Sequence, residues 1–122
     1  MAYLYVEMVA LVSVVETPAY LSRAERLMSA EERTAVVDAV ASAPDGGLLI
    51  QGTGGLRKLR IPLAGRGKRG GGRVIYWFHS AGFPAVLLWV FAKNEASDLT
   101  VAQREALASA SRDLLSDFRK RP

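Results

Sequence analysis

Apolar positions in the first third of the chain recur at helical spacing, whereas further on they alternate or run together. Thr17 followed by Pro18 predicts a helix start: the threonine hydroxyl can accept from free N–H groups, and the fixed φ of proline suits the first helical position. Tyr20, Leu21, Ala24 and Leu27 then fall on one face. Ser29-Ala30-Glu31-Glu32 has the form of a capping box, and Val36, Val37 and Val40 line one side of the helix that it opens. Pro44-Asp45-Gly46 ends that helix. The two short helices and their tight turn make an αα-hairpin.

After Gly46 the helix formers give way to glycine, β-branched and aromatic residues. Leu56 to Leu63 alternates, with Leu59, Ile61 and Leu63 on one face and Lys58 and Arg60 on the other. Arg73 to His79 and Ala85 to Ala92 are aromatic and β-branched and are separated by the turn Ala81-Gly82-Phe83-Pro84, so they predict an antiparallel pair, the second strand more buried. Thr100-Val101-Ala102-Gln103 is another capping box, opening a C-terminal helix that turns Leu107, Leu114, Leu115 and Phe118 inward. The order helix, helix, strands, helix predicts an α+β fold with a small antiparallel sheet.

With 122 residues, half of them apolar, residues 1–122 are expected to form one domain with a real core. No cysteine is present, which removes disulfides, thiolate nucleophiles and Cys-ligated zinc together. His79 is the only histidine, a poor basis for a His-rich metal site or a Ser-His-Asp triad. No metal or cofactor is therefore expected. The longest charge-free apolar run, Ser80 to Ala92, is shorter than the roughly 20 residues of a membrane helix and is broken by Gly82 and Pro84. Met1 to Val15 is apolar but holds Glu7 and lacks a basic start, so it is not read as a signal peptide. The expected compartment is the cytoplasm, with no membrane partner.

The net charge of +4 conceals a segregation. Between Asp45 and Glu95 no acidic residue occurs, while Arg57, Lys58, Arg60, Arg66, Lys68, Arg69, Arg73 and Lys93 all do. Clustered cations focus the field of a polyanion-binding face, because charges within a Debye length of about 8 Å at physiological salt are only partly screened from one another. Nucleic acid is the expected partner. The glycine-rich run Gly65-Arg66-Gly67-Lys68-Arg69-Gly70-Gly71-Gly72 formally contains G-x-G-x-x-G, but a strand follows where the dinucleotide motif requires a helix. A phosphate-loop reading also fails, since Lys68 is followed by arginine instead of Ser or Thr. What remains is a basic loop whose N–H groups and cations can wrap phosphates. Trp77 and Trp89 have rings able to stack on bases, but aromatics in alternating strands are ordinarily core. His79, at a strand end, is read as incidental.

The stretch Leu-Leu-Ile-Gln-Gly-Thr-Gly-Gly-Leu-Arg-Lys-Leu-Arg from Leu48 to Arg60, with Gly67-Lys68-Arg69-Gly70-Gly71-Gly72-Arg73-Val74-Ile75-Tyr76 after it, resembles the toxins of RelE/HigB type toxin–antitoxin systems. The later Phe91-Ala92-Lys93-Asn94-Glu95, Asp98-Leu99-Thr100 and a helix are similar to the family's closing strand and helix, and the match runs from about Val14 to Phe118. The apolar Met1 to Ser13 lies outside it, either as an added strand or as the product of an upstream start codon, with Met8 the candidate start.

The resemblance implies a RelE-like fold: a sheet with a cationic concave face, the helical hairpin on its other side, and a C-terminal helix. It implies a ribosome-dependent mRNA interferase that cuts in the ribosomal A site and is neutralised by a cognate antitoxin. In that chemistry the ribose 2′-OH attacks the adjacent phosphate and the 5′-oxygen leaves, without metal. Lys58 and Arg60 match the family's basic strand positions, Arg73 the arginine opening the next strand, and Lys93 a basic position closing the last strand. Arg60 and Arg73 are assigned to phosphate clamping and Lys58 to proton transfer or charge stabilisation, with Arg57, Arg66, Lys68 and Arg69 as further RNA-binding residues. Two departures stand out: Asn94 replaces an arginine and Thr100 a tyrosine found in some members, which leaves the general base without an assigned residue. Two rivals remain, a ParE-like gyrase-inhibiting toxin and a non-catalytic nucleic-acid-binding module.

Overall fold

A computed structural model describes residues 11–64 and 71–120. Its elements are β1 (Val14–Glu16), α1 (Pro18–Leu27), α2 (Ala30–Ser42), β2 (Leu48–Leu49), β3 (Leu56–Ile61), β4 (Gly72–Trp77), β5 (Ala85–Ala92) and α3 (Val101–Arg119). Each helix begins where a side chain satisfies its free N–H groups. Thr17 accepts from Tyr20 N–H, and both capping boxes, Ser29 with Glu32 and Thr100 with Gln103, close reciprocally.

The five strands run in the order β1-β5-β4-β3-β2. Neighbours among β2 to β5 are antiparallel, as expected for the three longer strands, while the two-residue β2 is an addition to the expected sheet. The expectation of a wholly antiparallel sheet is corrected by β1, which lies parallel to β5 with Val14 opposite Ala85 and Glu16 opposite Leu87. Thr17 locks this edge, its N–H and hydroxyl both donating to Leu87 O, at 3.2 and 2.8 Å. Between β4 and β5 the register shifts after Ile75, so that Leu88 is the extra residue of a bulge. Leu88 and Trp89 consequently both belong to the α3 side of the sheet.

Core lies on both faces. On one, Tyr20 and Ala24 of α1, Met28 just after it, and Val36 and Val40 of α2 pack on Ile61, Val74, Tyr76, Leu87 and Val90. On the other, Leu56, Ile75, Trp77, Val86 and Phe91 take Leu107, Leu114, Leu115 and Phe118 of α3. Because both faces are covered, all six residues of β4 are buried. Trp77 is wholly buried and stacks on Phe118 with ring planes 9° apart, which makes it core and removes it from solvent-facing roles. His79 is exposed, edge-on to Phe83 at 4.9 Å, beyond the end of β4 opposite to Arg73. No helix among the described residues is long and apolar enough to cross a membrane.

Candidate nucleic-acid interface

Strand alternation and register decide which cations meet. Arg60 lies directly opposite Arg73, which in turn lies opposite Phe91, while Lys58 lies opposite Ile75 two residues along. Ile75 and Phe91 belong to the α3-side core, so Lys58, Arg60 and Arg73 share that face. Lys93 follows β5 on the same alternation, and its N–H donates to Gly71 O at 2.9 Å, fixing it beside the start of β4. The four residues read as catalytic thus gather at one end of the sheet. Arg60 is exposed, Lys58 and Lys93 are half-buried, and Arg73 is 8% exposed with its Nη1 donating to Gly72 O at 2.9 Å. Like charges set opposite each other across two strands disfavour the free state, and a bound phosphate would relieve them.

Arg57 is separated from this set. It alternates to the hairpin side, opposite Tyr76, and its Nη1 donates to Asp45 O and Gly47 O at 3.0 and 2.9 Å. There it fastens the turn after α2, where Tyr76 also donates to Pro44 O and accepts from Gly47 N–H. Arg66, Lys68 and Arg69 lie outside the described residues. Trp89 is half-buried, with the Arg23 guanidinium 4.6 Å over its ring.

Sequence reading missed Asp98. The basic stretch holds no carboxylate of its own, yet the loop between β5 and α3 carries Asp98 back to Lys58, whose Nζ stands 3.3 Å from both carboxylate oxygens. Partial burial pushes the Asp98 carboxyl up, but the Leu99 N–H together with Lys58 and Lys93 outweighs it, and the group titrates below its ordinary value. Asp98 is therefore ionised at neutral pH and orients the Lys58 ammonium. No local pattern announces the pair: Asp98 stands two residues before the Thr100 cap, but only the course of the loop after β5 brings it to Lys58. The same loop holds Lys93, whose Nζ donates to Ser97 O at 2.8 Å. Among the described residues no group of three or more His, Cys, Asp or Glu side chains could hold a metal ion.

The assembled site is a row of cations at a sheet end, one of them oriented by a carboxylate, suited to gripping a phosphodiester and stabilising added charge on it. Residues 19–120 match the model of the family described as the RelE toxin of the RelE/RelB toxin–antitoxin system. Among solved structures, a double arginine-to-alanine mutant of the E. coli toxin RelE in the free state is similar in fold, with a TM-score of 0.56 at 13% identity over 82% of this chain and 96% of that one. A family match over most of the chain implies an antitoxin partner as well as a fold, and the chain belongs to the RelE toxin family.

Proposed function

We propose that the protein is a ribosome-dependent, metal-independent endoribonuclease that cuts mRNA in the ribosomal A site, in the cytoplasm. The observation that carries this reading is the convergence of Lys58, Arg60, Arg73 and Lys93 on one sheet face, with Asp98 orienting Lys58. Cleavage needs the 2′-OH aligned for in-line attack on phosphorus, a P–O5′ bond broken, one proton removed from the 2′-oxygen and one delivered to the 5′-oxygen. Arg60 and Arg73 suit the phosphate, since two guanidinium forks can bind its non-bridging oxygens as charge builds on them. Lys58 presents an ammonium whose direction Asp98 sets, ready to stabilise charge or deliver the proton to the leaving oxygen. Only RNA carries the attacking hydroxyl, so a DNA strand of the same sequence should stay intact.

The test uses mRNA-programmed ribosomes under single-turnover conditions. Arg73→Lys keeps the charge but loses the fork, and removal of one such electrostatic contact is expected to slow cleavage by about 10²-fold. An Arg73→Lys protein that cuts at the wild-type rate would remove Arg73 from the site. Binding to gyrase without any cleavage would favour the ParE-like alternative.

A further inference from the structure

The hairpin and the cation row lie on opposite faces of the sheet, yet one side chain of α1 reaches the loop that carries Lys93 and Asp98. Pairing of β1 with β5 stops at Glu16 opposite Leu87, and among the described residues no strand lies against the rest of this β5 edge. Arg23 takes that edge. Its Nε donates to Val90 O at 2.6 Å, its guanidinium lies over the Trp89 ring, and its Nη2 meets Glu95 Oε1 at 3.2 Å. The same Glu95 oxygen accepts from Ala92 N–H at 3.0 Å, and Glu95 N–H donates to Ala92 O at 3.0 Å. Glu95 is therefore tied at both backbone and side chain to the last residue of β5, and Arg23 ties it to the sheet edge.

We propose that Arg23 and Glu95 form a clip that sets the course of the chain leaving β5, and through it holds Lys93 and Asp98 against Lys58. Both are positioning residues, and the proposal rests on the ribonuclease reading. The chemistry favours arginine specifically. A planar fork can bond a carbonyl through Nε and a carboxylate through Nη2 while lying flat on an indole; a lysine carries its three donors on one nitrogen and has no planar group to reach both partners from separate atoms while covering the ring. Glu95 stands two residues from Lys93 and three from Asp98, so a change in its position passes directly to both.

Three proteins test this: Arg23→Lys, Glu95→Ala and the double variant, each beside the wild type. The first readout is the Asp98 carboxyl titration by NMR, which needs no RNA. The clip predicts a wild-type titration below the ordinary carboxylate range that moves back towards that range in both single variants. The second readout is single-turnover cleavage on programmed ribosomes. A misplaced loop should slow the cleavage step by about tenfold with half-saturation changed by less than about twofold, and the double variant should be no slower than the slower single. An unmoved Asp98 titration would overturn the proposal, as would additive rate losses, or losses that merely follow a lowered melting temperature. A wild-type protein that cuts no RNA would refute the ribonuclease reading alone, because the Asp98 titration would still decide the clip.

Discussion

Arg57 and Lys58 are adjacent and both basic, but alternation sends them to opposite faces and gives them different work. Arg57→Ala should lower folding stability by about 1 kcal/mol, through the loss of charged donors to Asp45 O and Gly47 O, and leave the cleavage rate unchanged. Lys58→Ala should do the reverse, slowing cleavage by about 10²-fold with little change in the denaturation midpoint. Denaturation and single-turnover rates on the two proteins check the pair, and equal rate losses would show that the faces are wrongly assigned. Tyr20 is a second residue whose role follows from burial: its side chain is wholly buried, and its hydroxyl has no hydrogen-bond partner among the described residues. Burial first, and the charge of Glu16 second, push its ionisation up to about 12. In the unfolded chain the phenol ionises near 10, so the stability tied to the neutral form is fully present below about pH 10 and is lost as the pH climbs towards 12. Tyr20→Phe should be neutral or up to about 1 kcal/mol more stable at neutral pH, and should lose less stability between pH 10 and 12. Denaturant titrations across that interval measure it, and an unchanged slope would contradict the assignment.

At the scale of elements, the glycine at the mouth of β4 joins fold to site. Gly71 has φ +65°, and a Cβ there would stand 2.2 Å from Ile61 O, while its own carbonyl accepts from Lys93 N–H. Gly71→Ala should therefore cost about 2 kcal/mol or more, from steric conflict and strained backbone together, and a near wild-type denaturation midpoint would mean that the turn is built differently. Other elements differ in how openly the residues announce them. The helix starts are local: a cap needs only the residues from Thr17 to Tyr20 or from Ser29 to Glu32, so α1, α2 and α3 were readable to within a residue at their first turns. β5 was readable because eight apolar residues run without interruption between turn signals. β1 and β2 were not, since strands of three and two residues show no period, and the partner of β1 is 71 residues away in the sequence. The bulge at Leu88 depends on how β4 and β5 meet, and no pattern within β5 reveals it.

For the molecule as a whole, two helical layers cover most of the sheet and leave a cationic end between β3, β4 and the loop before α3. The charge segregation was legible along the chain, and four of the cations do converge. Arg57 was grouped with these cations as an RNA-binding residue, although strand alternation, which set Lys58 and Arg60 apart from their apolar neighbours, puts it on the opposite face. Asp98 was hidden for a different reason: it is 40 residues from Lys58, and only the fold of the loop after β5 brings the two together. The central claim is that this cationic end cuts mRNA held in the ribosome. Purified protein added to a defined mRNA, with and without translating ribosomes, and the products mapped by primer extension, tests it most directly. Cuts in phase with codons that appear only with ribosomes are the predicted result, whereas an intact message under both conditions would contradict the account.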